Sequence, residues 1–134
     1  MSAAARAGRA AELSVLDLSP ESSGDAAGSG VARTLELALA AERWGYRGIW
    51  LAEHHLSPGV SSATPAVLAA LVAAGTRRLR VGSAASLLAV TTPAVAAEQW
   101  ATIARAAGDR VDLGFGRVHT PPAAAAPPAA PPAA

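Results

Sequence analysis

Four short apolar runs recur along the chain, and their starts lie about 32 residues apart, the length of a strand, a crossover helix and a return strand. The runs are residues 13–18 (LSVLDL), 48–52 (GIWLA), 79–85 (LRVGSAA) and 111–115 (VDLGF). Each run is bounded by Gly, Pro or polar residues, which is typical of a strand buried on both faces. The pattern predicts four strands of one sheet.

The segments between the runs, residues 31–44, 65–74 and 93–107, have the apolar spacing and the end residues of helices. In the last two segments a threonine cap precedes a proline at the first helical position, and a glycine follows each of the three. The caps are Thr64 and Thr92, and the closing glycines are Gly45, Gly75 and Gly108. Helices that alternate with strands predict an α/β fold of about four βα units with parallel strands and right-handed crossovers.

The two ends of the chain lack this pattern. Residues 1–12 (MSAAARAGRAAE) are small and weakly patterned, and residues 118–134 consist mainly of Pro and Ala, with enough proline to prevent helices and sheet ladders. We therefore expect a disordered leader over 1–12, one domain over 13–117 and a disordered tail over 118–134.

Charge and composition exclude several classes of partner. The net charge is +1 and the arginines are scattered, so nothing favours a nucleic acid. No window of about 18 apolar residues predicts a membrane span, and no signal peptide is recognisable. The chain has no cysteine, which fits a reducing compartment. We expect a cytoplasmic protein.

Polar residues follow the predicted strands at their carboxyl ends, where parallel α/β folds gather their chemistry. Asp17 ends the first run, Glu53, His54 and His55 follow the second, and Arg117 follows the fourth. A carboxylate can orient a neighbouring histidine for acid/base work, and alternation along a strand predicts that only one of the two histidines faces a ligand. The alternative is a pair of rim histidines that bind backbone or water.

Other patterns at this rim are less specific. The small residues 82–86 (GSAAS) permit a flat ligand to approach, or they serve only tight packing. Arg117 can pair with a phosphate or carboxylate, or remain solvated. The zinc patterns HExxH and HxxEH are absent, so we expect no metal, and DLGFGR lacks the third glycine and the following helix of a dinucleotide fingerprint.

In order, the blocks LSVLDLSP, GYRGIWLAEHH, LRVGSAASLL, TPAVAAEQW and DRVDLGFGR resemble the N-terminal half of the bacterial luciferase-like flavin-dependent monooxygenases. The resemblance implies a partial (β/α)₈ barrel, reduced FMN as cofactor with a deazaflavin coenzyme as the alternative, and O₂ as co-substrate. It implies that His54 is a catalytic acid/base and that Ala84 and Ala85 form a non-prolyl cis peptide beneath the flavin ring. It further implies that Arg117 lies by the cofactor phosphate. Supporting roles remain for Glu53, His55 and Asp17.

Two departures from the family leave several functions open. Relatives usually read LPNHAPL where residues 88–94 read LAVTTPA, and a full barrel needs about 250 residues, so we expect a truncated form. The first hypothesis is oxygenation of a small organic substrate with flavin supplied by a reductase. The second is an inactive fragment that binds flavin weakly, self-associates or pairs with a missing barrel half. The third, an aldolase-type or isomerase-type barrel with His54 as base, is disfavoured because the chain has no lysine.

Overall fold

The computed structural model describes residues 11–117, which form a parallel sheet with three helices against one face. The strands are β1 (Ser14–Asp17), β2 (Gly48–Leu51), β3 (Arg80–Ser83), β4 (Ser86–Leu87), β5 (Val111–Asp112) and β6 (Phe115–Gly116). The helices are α1 (Ser29–Arg43), α2 (Pro65–Gly75) and α3 (Pro93–Ala107). The predicted tail and all but the last two residues of the predicted leader lie outside the described range.

The main sheet has the order β1-β2-β3-β5, and all of its pairings are parallel, which confirms the predicted α/β arrangement. The fourth apolar run is divided between β5 and β6, whereas β4 begins directly after the third run; β4 and β6 lie outside the main sheet and pair with each other. The N–H of Ser86 in β4 donates to the carbonyl of Gly114, directly before β6, at 2.8 Å.

The core lies between the sheet and the helices. Ile49, Leu51 and Val81 are fully buried, and alternation along the strands turns all three toward the helices. Trp100 and Ile103 of α3 pack against them. Helix α2 has no polar side chain, and its buried positions join the same cluster. Burial of each large apolar side chain contributes about 1.5–3 kcal/mol, so this layer stabilises the fold.

The opposite face of the sheet is open among residues 11–117. Leu16 of β1 is 57% exposed, so the expectation that every strand is buried on both faces is wrong for the edge strand β1. The physical reason is that all three helices pack on the other face. In the middle of the open face the indole of Trp50 lies over Gly82, where a Cβ atom would collide with the ring.

The helix ends agree only in part with the predicted caps. Gly45 and Gly108 have positive φ angles of 79° and 75°, as expected of glycines that terminate helices. Thr92 caps α3, accepting from the N–H of Val95 at 3.3 Å, whereas the side chain of Thr64 makes no such bond. Gly75 was wrongly predicted as a terminator, since it is the last helical residue.

Helix α2 ends instead on a side chain from a distant loop. The guanidinium of Arg110 donates to the carbonyls of Ala73 at 2.6 Å and Thr76 at 2.9 Å, which are groups without helical partners. It also reaches the carbonyl of Leu79 at 2.9 Å. Arg110 therefore joins the end of α2 to the loops that precede β3 and β5.

None of the described helices is long and apolar enough to cross a membrane.

Candidate active site

Glu53 organises the loop that follows β2. Its side chain is buried, with Oε1 2.6 Å from Nε2 of His55 and Oε2 accepting from the backbone N–H of Leu87 at 2.9 Å. One buried carboxylate thus fastens the histidine loop to β4.

The two adjacent histidines are used differently. His55 is committed to Glu53, and both side chains line a cavity of about 220 Å³ with Pro65, Ala66 and Trp100. His54 is exposed, and its ring forms no hydrogen bond to any residue within 11–117. Within that range the ring of His54 is open to a ligand, and its catalytic role remains a prediction.

Leu56, directly after the histidines, is a candidate that the sequence patterns did not reveal. Its φ angle is 49°, a left-handed conformation that costs a residue with a Cβ atom about 1–2 kcal/mol. Its side chain is also fully exposed. Backbone strain tends to persist at functional sites, and nothing in the local sequence LSPG marks the position.

The Ala84–Ala85 peptide bond is cis, which confirms that part of the resemblance. Ala84 is exposed and Ala85 half-buried, and the N–H of Ala84 donates to the carbonyl of Leu51 at 2.9 Å. Strand β6 passes close by, because a Cβ atom at Gly116 would lie 2.9 Å from Cβ of Ala85. The result is a surface of methyl groups and backbone beside the end of β2. Contact of this pair with a flavin remains a prediction.

The two glycines of DLGFGR serve close packing. Gly114 lies against Ser83, whose hydroxyl donates to its carbonyl at 3.0 Å and accepts from its N–H at 3.2 Å. A Cβ atom at Gly114 would overlap the carbonyl oxygen of Ser83. These contacts bring β6 to the site and account for a GxG pattern without a dinucleotide.

Arg117 is brought to the same edge by the pairing of β6 with β4. Gly116 pairs with Leu87, the residue whose N–H is bound by Glu53, and Arg117 follows at once. Arg117 is exposed, and within the described range its guanidinium has no carboxylate partner. The four predicted residues Glu53, Ala84, Ala85 and Arg117 thus belong to one group.

Asp17 reaches the same edge, but its carboxylate serves the fold. Oδ2 accepts from the N–H of Ser19 at 3.2 Å and from the hydroxyl of Thr34 on α1. The side chain is 7% exposed and faces the helix layer. Its hydrogen bonds hold α1 and the first loop in place, and none joins it to the histidine loop within residues 11–117.

A larger cavity, of about 780 Å³, lies at the other end of the strands and contains none of the predicted site residues. We place the site at the carboxyl end, because a ligand site is identified by its chemical groups more than by its volume. Within residues 11–117 no three side chains of His, Asp or Glu come together as a metal site would require.

Comparison with known proteins points to one family. A family model described as luciferase-like monooxygenase matches residues 11–131. A luciferase-like monooxygenase of Escherichia coli strain K12 is 42% identical over 105 residues, which are 78% of this chain and 31% of that protein. The chain thus spans about a third of the length of that relative.

Two solved structures are similar to the fold. The structure of apo-MsnO8 is 38% identical with a TM-score of 0.76, over 79% of this chain and 32% of that one. The oxygenating constituent of 3,6-diketocamphane monooxygenase from Pseudomonas putida, a type II Baeyer-Villiger monooxygenase solved with FMN, has a TM-score of 0.74. It is 22% identical over 80% of this chain and 29% of that one, a likeness that shows the fold alone.

Proposed function

This chain belongs to the luciferase-like monooxygenase family, with the fold of a partial (β/α)₈ barrel, and we propose that it contributes the flavin-facing part of a monooxygenase site. The proposed reaction is the oxygenation of a small organic substrate by O₂ and reduced FMN. The chain spans about a third of its relatives, so the proposal concerns the groups that this third supplies.

The observation that carries the proposal is the convergence of Glu53, the Ala84–Ala85 pair and Arg117 at one edge of the sheet. A planar ring can lie against the alanines, because neither extends beyond a methyl group and Ala84 is exposed. The guanidinium of Arg117 offers a fork for a phosphate oxygen pair. These residues fit a flavin phosphate ester, and a bound reduced flavin supplies the reaction with O₂.

His54 is the proposed acid/base. Its ring has no competing partner within residues 11–117, so it can take a proton from a ligand or return one. His55 is a positioning residue, since its hydrogen bond to Glu53 fixes the backbone from which His54 projects. The exposed side chain of Leu56 offers the organic substrate an apolar contact.

The flavin form, partners and location also belong to the proposal. FMN is favoured by the FMN-bound structure among the fold neighbours, and a deazaflavin coenzyme is the alternative. Reduced flavin would come from a separate reductase. The absence of cysteine is compatible with a reducing cytoplasm, where such a reductase would operate.

A second candidate function rests on the open face of the sheet. Leu16 is 57% exposed and Phe115 is 52% exposed, and exposed apolar sheet surface favours association. In this alternative the chain self-associates or pairs with further barrel strands, and it binds flavin weakly without catalysis.

Titration with FMN and with riboflavin, followed by flavin fluorescence while sedimentation records the mass, tests the proposal. We expect FMN to bind about tenfold more tightly than riboflavin, because a charge-assisted phosphate contact contributes about 1.4 kcal/mol. Arg117→Ala should abolish that difference. The matched control Arg105→Ala, an exposed arginine of α3, should retain it. Absence of binding by either flavin at millimolar concentration would leave only the second candidate.

A further inference from the structure

The amino end of the sheet contains a second concave site that the proposed flavin chemistry does not use. Its volume is about 780 Å³, within the range of about 300–1,000 Å³ that small-molecule pockets occupy. The loops that precede β2, β3 and β5 open into it, because parallel strands bring their amino ends to one edge. Arginines in its lining are Arg47, Arg77, Arg78, Arg80 and Arg110.

Three of these arginines already have partners. Arg80 forms a bidentate pair with Asp112, with both distances 2.7 Å. Arg110 is occupied by carbonyls at the end of α2. Arg47 lies 3.2 Å from Glu12 in a contact that is half exposed on both sides. These contacts hold the three side chains in place along one side of the cavity.

Arg77 and Arg78 are held by their backbone and free at their guanidinium groups. The N–H groups of Arg77, Arg78 and Leu79 donate to Oε1 of Glu42 at 2.8, 2.5 and 2.9 Å. These three N–H bonds hold the pKa of Glu42 below its usual value, so the carboxylate remains ionised. Both arginine side chains are exposed, and neither forms an ion pair within residues 11–117. The backbone of both arginines is thus fixed, and within this range their guanidinium groups are open to a ligand.

An aromatic wall adjoins these arginines. Trp44 is 69% exposed and lines the cavity together with Tyr46. The exposed face of the indole suits a planar ring. Two acidic residues, Glu12 and Asp109, share the lining with the five arginines, and the carboxylates of Glu42 and Asp112 lie against the same arginine loops, so the arginines exceed these carboxylates by one.

We propose that this cavity binds a nucleotide, with its phosphates on Arg77 and Arg78 and its base stacked on Trp44. Guanidinium forks match phosphate oxygens bidentately, and an aromatic face beside them selects a ligand that carries a planar ring. The site lies at the opposite end of the strands from Arg117 and is independent of the flavin proposal.

Calorimetric titration of the full chain with adenosine diphosphate, pyrophosphate and adenosine tests this site. We expect adenosine diphosphate to bind at least about tenfold more tightly than either part alone, since both walls contribute. The double variant Arg77→Ala/Arg78→Ala should weaken adenosine diphosphate about tenfold or more. Trp44→Ala should weaken adenosine diphosphate and leave pyrophosphate unchanged. Arg105→Ala and Arg117→Ala should leave both affinities unchanged, and circular dichroism checks that each variant is folded.

Several results would overturn the proposal. No binding of adenosine diphosphate at millimolar concentration would do so, as would equal weakening by Arg105→Ala, which would indicate a general charge effect. Binding of a polyglutamate peptide without binding of adenosine diphosphate would assign the cavity to an acidic polypeptide instead. Equal affinities for pyrophosphate and adenosine diphosphate would remove the stacking role of Trp44.

Discussion

The two ends of the same parallel sheet use their polar side chains in opposite ways. At the carboxyl end, His54 and Arg117 are exposed and have no partner within residues 11–117. At the amino end, Arg110 alone makes five hydrogen bonds, and Arg80 forms a bidentate pair. The number of hydrogen bonds that a polar side chain forms thus distinguishes side chains that stabilise the fold from side chains that are open to a ligand.

Neither end is uniform, and the exceptions sharpen the contrast. Glu53 at the carboxyl end is buried and fully bonded, so it supports the exposed His54 from behind. Arg77 and Arg78 at the amino end are fixed through their backbone, while their side chains form no ion pair within residues 11–117. At each end a carboxylate, Glu53 or Glu42, holds a loop in position.

The largest effect is expected from removal of the Arg110 side chain. Arg110→Ala should lower the free energy of unfolding by about 3 kcal/mol, because the carbonyls of Ala73 and Thr76 lose their donor. Denaturant unfolding of the full chain measures the change. The matched control Arg105→Ala should shift stability by less than about 0.5 kcal/mol. A cost below about 1 kcal/mol for Arg110→Ala would contradict a structural role for the amino end.

The second largest change in stability is expected at one of the two neighbouring histidines. His55→Ala should destabilise the fold by about 1–2 kcal/mol, because Oε1 of the buried Glu53 loses its partner. His54→Ala should change stability by less than about 0.5 kcal/mol, since that ring is exposed. Thermal unfolding of both variants measures the difference. Equal losses of stability in the two variants would contradict the view that only His55 supports the fold.

The smallest expected change in stability comes from Glu42, and it depends on pH. The N–H groups of Arg78, Leu79 and Arg77 lower the pKa of Glu42 from 4.5, so its ionised form stabilises the folded state above that pH. The contribution is lost as the pH falls below 4.5 and through the lowered folded-state pKa. Glu42→Gln should therefore cost about 0.5–1 kcal/mol at neutral pH, a modest value because solvent reaches the carboxylate.

Unfolding at several pH values checks this expectation. The stability difference between the wild type and Glu42→Gln should shrink as the pH falls below 4.5. Glu98→Gln, on the exposed side of α3, is the matched control and should show no such dependence. A pH-independent difference would show that the three N–H groups do not favour the ionised form.

Much of the fold was predictable, because strands and helices leave local patterns. The four runs, the alternation of helices and the closing glycines Gly45 and Gly108 are properties of short segments. Gly75 was misjudged, because the helix ends one residue later at the cap Thr76, where Arg110, a residue far along the chain, binds carbonyls. Exposure of Leu16 was missed for a related reason, since periodicity cannot tell which face of a sheet is covered.

The residues of the candidate site could be predicted from the sequence, whereas the hydrogen bonds between them could not. The resemblance identified Ala84 and Ala85 as a cis pair, and the structure agrees. The bond from Glu53 to the N–H of Leu87 joins residues 34 positions apart, and no local pattern encodes it. Leu56 was missed because its left-handed backbone, with a φ angle of 49°, has no signal in the residues around it.

The sequence by itself determined the element order, the parallel topology, the family and the polar residues that end the strands. It could do so because apolar spacing, caps and motif blocks act over a few residues. Only the tertiary structure decided that Asp17 binds α1, that His55 binds Glu53 and that the ring of His54 has no partner among residues 11–117. The physical reason is that a polar side chain is committed by partners that folding brings close, and those partners are distant in the chain.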